Sequence, residues 1–174
     1  MWYVIQIVSG NESKVCEQIG ALFPEDIYDE CSYPKKHIPF RRQGKFFDVE
    51  KRLLPGYVFV RTDHIDEVYE YLKHVTELTR LIGMEQDYCL PLSDRDIEWM
   101  QKIGVMDEDQ SFKTIGYTTV RKTDDTVEVV DGPLLYISGT NYRIVLHQRI
   151  AYVDIEFMGQ VITLSFGVKF EGDE

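Results

Sequence analysis

The run LLPGYVFV, residues 53 to 60, constrains this chain more than any other feature. Apart from its Pro-Gly bend it is apolar, aromatic or β-branched throughout, and a short run of that kind bounded by turn residues suits a strand buried on both faces. Such a strand belongs at the centre of a sheet, so partners are sought before and after it. Trp2 to Val8, ended by Ser9-Gly10, supplies a second buried strand, and Tyr33 to Phe40 and Lys45 to Val49 supply two more, separated by a hairpin-like turn at Gly44.

Helical spacing appears between these runs. Val15, Ile19 and Leu22, with Cys16 beside them, recur at i, i+4, i+7 after Ser9 or Asn11, either of which suits an N-cap, and Pro24 stops the helix. Ile65, Val68, Tyr69 and Leu72 predict a second helix capped by Asp63, followed by a short strand from Leu78 to Ile82. Ser93 precedes a third, with Asp94 and Asp96 in its first turn, Ile97, Met100 and Ile103 on one face, and Gly104 at its end.

From Val105 to Thr114 the chain is acidic and aperiodic, which reads as a connection to a second domain. Beyond it, five short runs alternate with turns: Thr126 to Val130, Leu134 to Ile137, Tyr142 to Leu146, Ala151 to Phe157 and Gln160 to Phe166. Five strands in so short a span suggest a small barrel. The expectation is therefore an α+β first domain, an antiparallel sheet flanked by helices, over residues 1–106, a linker over 107–122, and an all-β small barrel over 123–174.

Charge is distributed unevenly. The 174 residues carry a net charge of −11, which argues against a general nucleic-acid coat. Between residues 35 and 52, however, Lys35, Lys36, Arg41, Arg42, Lys45, Lys51 and Arg52 stand against Asp48 and Glu50, a local balance of +5. A basic face survives the global excess of acid. No apolar run approaches the length that spans a bilayer, and the first residues lack the pattern of a signal peptide, so the expected location is cytoplasmic. Cys16, Cys31 and Cys89 form no C-x-x-C pair and read as buried thiols, and His37, His64, His74 and His147 fall in no catalytic or metal-binding motif. No enzyme activity, metal or cofactor is expected.

Three landmarks coincide at the spacing of one family. WYVIQIVSGNESKV opens the chain, LLPGYVFVRT follows about fifty residues later, and VEVVDGPLLYISG leads to FMG near the end. The chain resembles the NusG family of transcription factors, the first domain resembling its N-terminal domain and the last fifty residues its SH3-like KOW domain. The resemblance implies that Trp2, Tyr3, Leu53, Leu54, Pro55 and Tyr57 belong to a concave apolar surface that packs on the clamp of RNA polymerase, with aliphatic Leu54 where many relatives prefer an aromatic. It also implies that His74, Val75 and Thr76, after the second helix, face the non-template DNA strand.

Departures from the family pattern point to a specialised paralogue resembling the LoaP and RfaH branches. The KOW tip that resembles the contact for ribosomal protein S10 or Rho reads Met158-Gly159-Gln160, which makes both partnerships doubtful. After the KOW glycine come Thr140, Asn141, Tyr142 and Arg143, with His147 and Arg149 close by, a mixture suited to unpaired bases such as those of a leader RNA hairpin. With Lys35, Lys36, Arg41 and Arg42 these form the expected nucleic-acid contacts of a monomeric transcription elongation and antitermination factor. Two alternatives remain: a KOW-containing RNA-binding or ribosome-associated module, which needs no apolar surface at Tyr3 and Leu54, and a cysteine hydrolase, which thiol alkylation would test.

Overall fold

A computed structural model describes residues 1–137 and 141–173. The expected turn at Ser138-Gly139 and the candidate Thr140 lie outside the described residues. In chain order the elements are β1 (Trp2–Ile7), α1 (Glu12–Leu22), β2 (Glu30–Ser32), β3 (Lys35–Arg42), β4 (Lys45–Arg52), β5 (Tyr57–Arg61) and α2 (Ile65–Leu72). They continue as β6 (Thr79–Leu81), β7 (Met84–Glu85), β8 (Tyr88–Cys89), α3 (Asp94–Lys102), β9 (Thr114–Ile115), β10 (Thr118–Lys122) and β11 (Val127–Asp131). A 3-10 turn (Pro133–Tyr136), β12 (Tyr142–Val145), β13 (Ile150–Phe157) and β14 (Gln160–Phe170) complete the chain.

Two compact units form, and neither is continuous in sequence. The first comprises Met1–Tyr33 and Leu54–Asp94, the second Pro34–Leu53 and Arg95–Glu174. In the first, an antiparallel sheet runs in the order β2-β5-β1-β6, with Tyr3 opposite Val60 and Ile5 opposite Val58. The apolar run thus supplies a central strand, as expected, although pairing begins only at Tyr57 because residues 53–56 turn. Val15 and Ile19 of α1 and Val68 and Leu72 of α2 pack with Tyr3, Ile5, Val58 and Val60 into one core. Leu22, expected on the buried face of α1, is exposed instead.

The helix caps differ from expectation. Asn11 does precede α1, but its side-chain amide donates to Glu77 rather than capping, and the carboxylate of the next residue, Glu12, accepts the Gly10 N–H. His64, not Asp63, precedes α2, and the Thr62 hydroxyl accepts the His64 N–H at 2.7 Å. A hydroxyl two residues upstream thus satisfies one of the orphan donors of that first turn.

In the second unit β3 and β4 form a hairpin that β9 extends into three strands, while a second sheet runs β11-β10-β14-β13-β12. The strand count expected of the C-terminal region is met by different members. Leu134–Ile137 is no strand, because Pro133 at the start of the segment favours a helical turn and has no N–H for a ladder. Thr118–Lys122 takes its place, pairing with β11 and with β14. The stretch expected as a linker is accordingly structured: Met106 bridges Phe112, and Asp107 accepts the Ser111 N–H across the tight loop between them. This strand-rich half-barrel, after a mixed helix-and-sheet N-terminal region, is the architecture the sequence suggests.

Candidate functional site

Local chemistry explains the turn that enters β5. The Leu54 carbonyl accepts the Tyr57 N–H at 3.3 Å, with Pro55 and Gly56 between, and Gly56 has φ +87. Proline first and a positive-φ glycine second define a type II turn. Gly56 is fixed on both sides, its N–H donating to Glu12 Oε1 at 2.8 Å and its carbonyl accepting the Ile7 N–H at 2.9 Å. The other oxygen of Glu12 accepts the Gly10 N–H at 3.0 Å, and the residue is fully buried. A buried carboxylate clamping two backbone segments was not legible in the sequence, where nothing local marks Glu12.

Trp2, Tyr3, Leu53 and Leu54, expected to meet a partner, are at most 4% exposed. Of the remaining two, Pro55 is exposed and Tyr57 half-buried. Burial raises the Tyr3 pKa, which keeps the phenol neutral.

The basic segment forms the β3–β4 hairpin. Gln43 (φ 49) and Gly44 (φ 78) make its two-residue turn and set Arg42 opposite Lys45, Arg41 opposite Phe46, and Phe40 opposite Phe47. Arg41, Arg42 and Lys45 are exposed. Lys35 pairs with Glu50 at 3.1 Å, and that hydrogen bond is the main cause lowering the Glu50 pKa. Lys36 departs from expectation: it is buried, its Nζ donates to Ser165 O and Oγ, both at 2.6 Å, and burial lowers its pKa to about 8. An amine so placed holds the hairpin down and is not available to a phosphate.

The other candidates separate in the same way. After α2, His74 and Thr76 are exposed, but Val75 is in the core, and Thr76 exchanges hydrogen bonds with Gln18. Exposed Tyr142 and Arg143 are neighbours on β12 and so point to opposite faces of the sheet, Arg143 lying 5.3 Å from the Tyr152 ring. His147 is exposed. Arg149 is committed internally, bonded to Asp173 at 2.6 Å with its guanidinium 4.6 Å from the Phe46 ring. Tyr142 and Arg143 therefore do not present one common face, and Arg149 is engaged by Asp173 and Phe46.

Two further features bear on chemistry. Cys16 and Cys31, distant in sequence, bring their sulfurs to 3.4 Å and are half-buried, while Cys89 is buried as expected. Donation to Cys16, reinforced by burial, raises the Cys31 pKa well above the thiol range, the reverse of an activated nucleophile. Among the described residues no helix is long and apolar enough to cross a membrane, and no cluster of three or more His, Cys, Asp or Glu could hold a metal.

Comparison with known proteins places these elements in a family. Residues 1–101 match the family model described as "Transcription termination factor nusG". The chain is similar to the transcription termination/antitermination protein NusG of Haemophilus influenzae, 27% identical over 172 residues covering 95% of this chain and 91% of that one. It is also similar to those of Buchnera aphidicola and Escherichia coli K12, each 25% identical, covering 91% of this chain and 88% of theirs. Among solved structures it aligns with one described as "Domain interaction in Thermotoga maritima NusG" at 19% identity and a TM-score of 0.48, covering 95% of this chain and 92% of that one. With more than half of its residues matched by that family's model, the chain belongs to the NusG family.

Proposed function

We propose that this chain is a transcription elongation and antitermination factor of the specialised NusG kind, which binds the RNA polymerase clamp through residues 1–106 and suppresses pausing or termination at selected operons. The observation that carries the reading is the family match over residues 1–101, which takes in β1, the Glu12-clamped turn and the basic hairpin together. Similar proteins are termination/antitermination factors by name. The mechanism is binding energy rather than bond chemistry: a ligand favouring the closed clamp shifts the polymerase only by its differential affinity for that state.

Direct contact falls to Pro55 and Tyr57, the members of the expected set that are not buried. Nucleic-acid contact falls to Arg41, Arg42, His74, Thr76, Tyr142, Arg143 and His147, the exposed members of the expected set. Leu54→Asp would place a charge in the core, so the informative variant is Pro55→Asp at an exposed position. Binding of the full chain to core polymerase should weaken by at least about 2 kcal/mol, roughly thirtyfold, in Pro55→Asp. Wild-type chain should shorten pauses on a template with a strong pause site. A chain that neither binds polymerase nor changes pause duration would defeat the proposal.

A further inference from the structure

Phe40 and Phe47 stand half exposed on the β3–β4 hairpin, although Phe47 also lines a cavity with Pro39 and Tyr117. Of nine phenylalanines, Phe23, Phe59, Phe157 and Phe166 are buried, whereas Phe40, Phe46 and Phe47 on the hairpin are 51%, 36% and 50% exposed. Phe46 is partly explained, since its ring lies under Arg41 at 5.7 Å and Arg149 at 4.6 Å. Phe40 and Phe47 are a directly opposed pair, and Arg42 and Lys45 are the next pair two positions along each strand. Alternation puts all four on one face, with cations about 7 Å from aromatics, the scale on which a base and its own phosphate are separated.

We propose that this face of the β3–β4 hairpin is a platform for single-stranded nucleic acid, Phe40 and Phe47 stacking unpaired bases while Arg42 and Lys45 neutralise the adjoining phosphates. The charge pattern selects that occupant: residues 39 to 47 hold three cations and no acid in a chain of net charge −11, so the site calls for an anion. The two half-open rings call for flat apolar faces. Unpaired nucleotides supply both in one repeating unit, and stacking asks no particular base. A duplex keeps its base faces covered and offers the rings nothing.

The inference shares with the proposed function the idea of nucleic-acid contact, but is independent of polymerase docking. It is tested with the full chain and labelled U and T oligonucleotides of about 15 nucleotides, followed by fluorescence anisotropy from low to physiological salt, beside a duplex of equal length and inorganic polyphosphate. Single strands should bind more tightly than either. Phe40→Leu and Phe47→Leu keep apolar area but remove the π face, and each should weaken binding about tenfold, while Phe40→Tyr should not. Arg42→Ala with Lys45→Ala should flatten the slope of log affinity against log salt by about 1.4. Leucine variants that bind like wild type, or a duplex or polyphosphate bound as tightly as single strands, would overturn the platform. Polymerase binding in the leucine variants should persist; its absence from wild type with oligonucleotide binding intact would sink the proposed function alone.

Discussion

Removing the Glu12 carboxylate tests whether the turn entering β5 is held as the structure indicates. Glu12 is fully buried and accepts N–H groups from Gly56 at 2.8 Å and Gly10 at 3.0 Å. Hydrogen bonds to a charged acceptor contribute about 1.5–3 kcal/mol each, and an orphaned buried donor costs about 1–3 kcal/mol. Glu12→Ala should therefore lose roughly 3–5 kcal/mol, whereas Glu12→Gln, which keeps one acceptor but turns an amide N–H toward the other donor, should lose about half as much. The chain has two tryptophans, Trp2 in the first unit and Trp99 in the second, so urea unfolding of the Trp99→Phe background reports the first unit alone. A loss below about 1 kcal/mol in Glu12→Ala, or wild-type stability in Glu12→Gln, would refute the clamp. Gly56→Ala gives an independent check, because φ +87 disfavours a side chain and the added carbon would meet the Ile7 carbonyl at 3.3 Å.

Three other outcomes follow from single residues. Lys36 has its pKa lowered by burial from 10.5 to about 8, so between those values the unfolded chain holds a proton that the folded chain does not. Stability should then rise with pH above about 8, by at most about 1.4 kcal/mol per pH unit relative to Lys36→Met, and parallel pH profiles for the two proteins would contradict this. Gly132 has φ +95, and an added Cβ would lie 2.5 Å from the Tyr117 carbonyl oxygen and 2.7 Å from Thr118 Cα, both backbone atoms. Gly132→Ala should destabilise the second unit by at least about 2 kcal/mol in Trp99 fluorescence, and a smaller loss would show that the segment shifts without strain. Cys31, its pKa raised by donation to Cys16 and by burial, should react with iodoacetamide at neutral pH more slowly than free cysteine, and equal rates would refute the pairing.

Much of the fold was legible because it rests on periodicity. Strand alternation, the apolar centre at Val58–Val60, and helices placed by Val15, Ile19, Val68 and Leu72 all follow from patterns a few residues long. What escaped depends on partners far along the chain. Glu12 carries no local signal of its role until Gly56 is brought beside it, and Lys36 reads as a surface cation until Ser165 is. Leu134–Ile137 has the composition of a strand, but Pro133 turns it helical and β10 fills the vacated role. The candidate site fared similarly. Residue type pointed to the hairpin, yet only burial and bonding separate the exposed Arg42 and Lys45 from Lys36, which alternation puts on the same face but which is buried and bonded to Ser165.

The segregation of charge bears on how such a factor could remain selective. The segment from 35 to 52 carries +5 against −11 for the whole, which leaves −16 on the remaining residues. At physiological salt the field of exposed charges decays over about 8 Å, so a polyanion at a distance meets little attraction, and at lower salt meets net repulsion. On contact the balance reverses, because the phosphates nearest Arg42 and Lys45 sense those cations more than the screened acids elsewhere. A chain with an overall positive field would instead gather along any duplex and lose much of its discrimination to non-specific sites. The acidic remainder therefore acts against loose binding, while the hairpin keeps the short-range contacts that require a strand with open base faces. Reversing part of that remainder, for example Glu108→Lys with Asp109→Lys in the exposed or half-buried 107–110 loop, should raise duplex affinity more than single-strand affinity. An equal rise in both would show that the platform contributes no selectivity beyond charge.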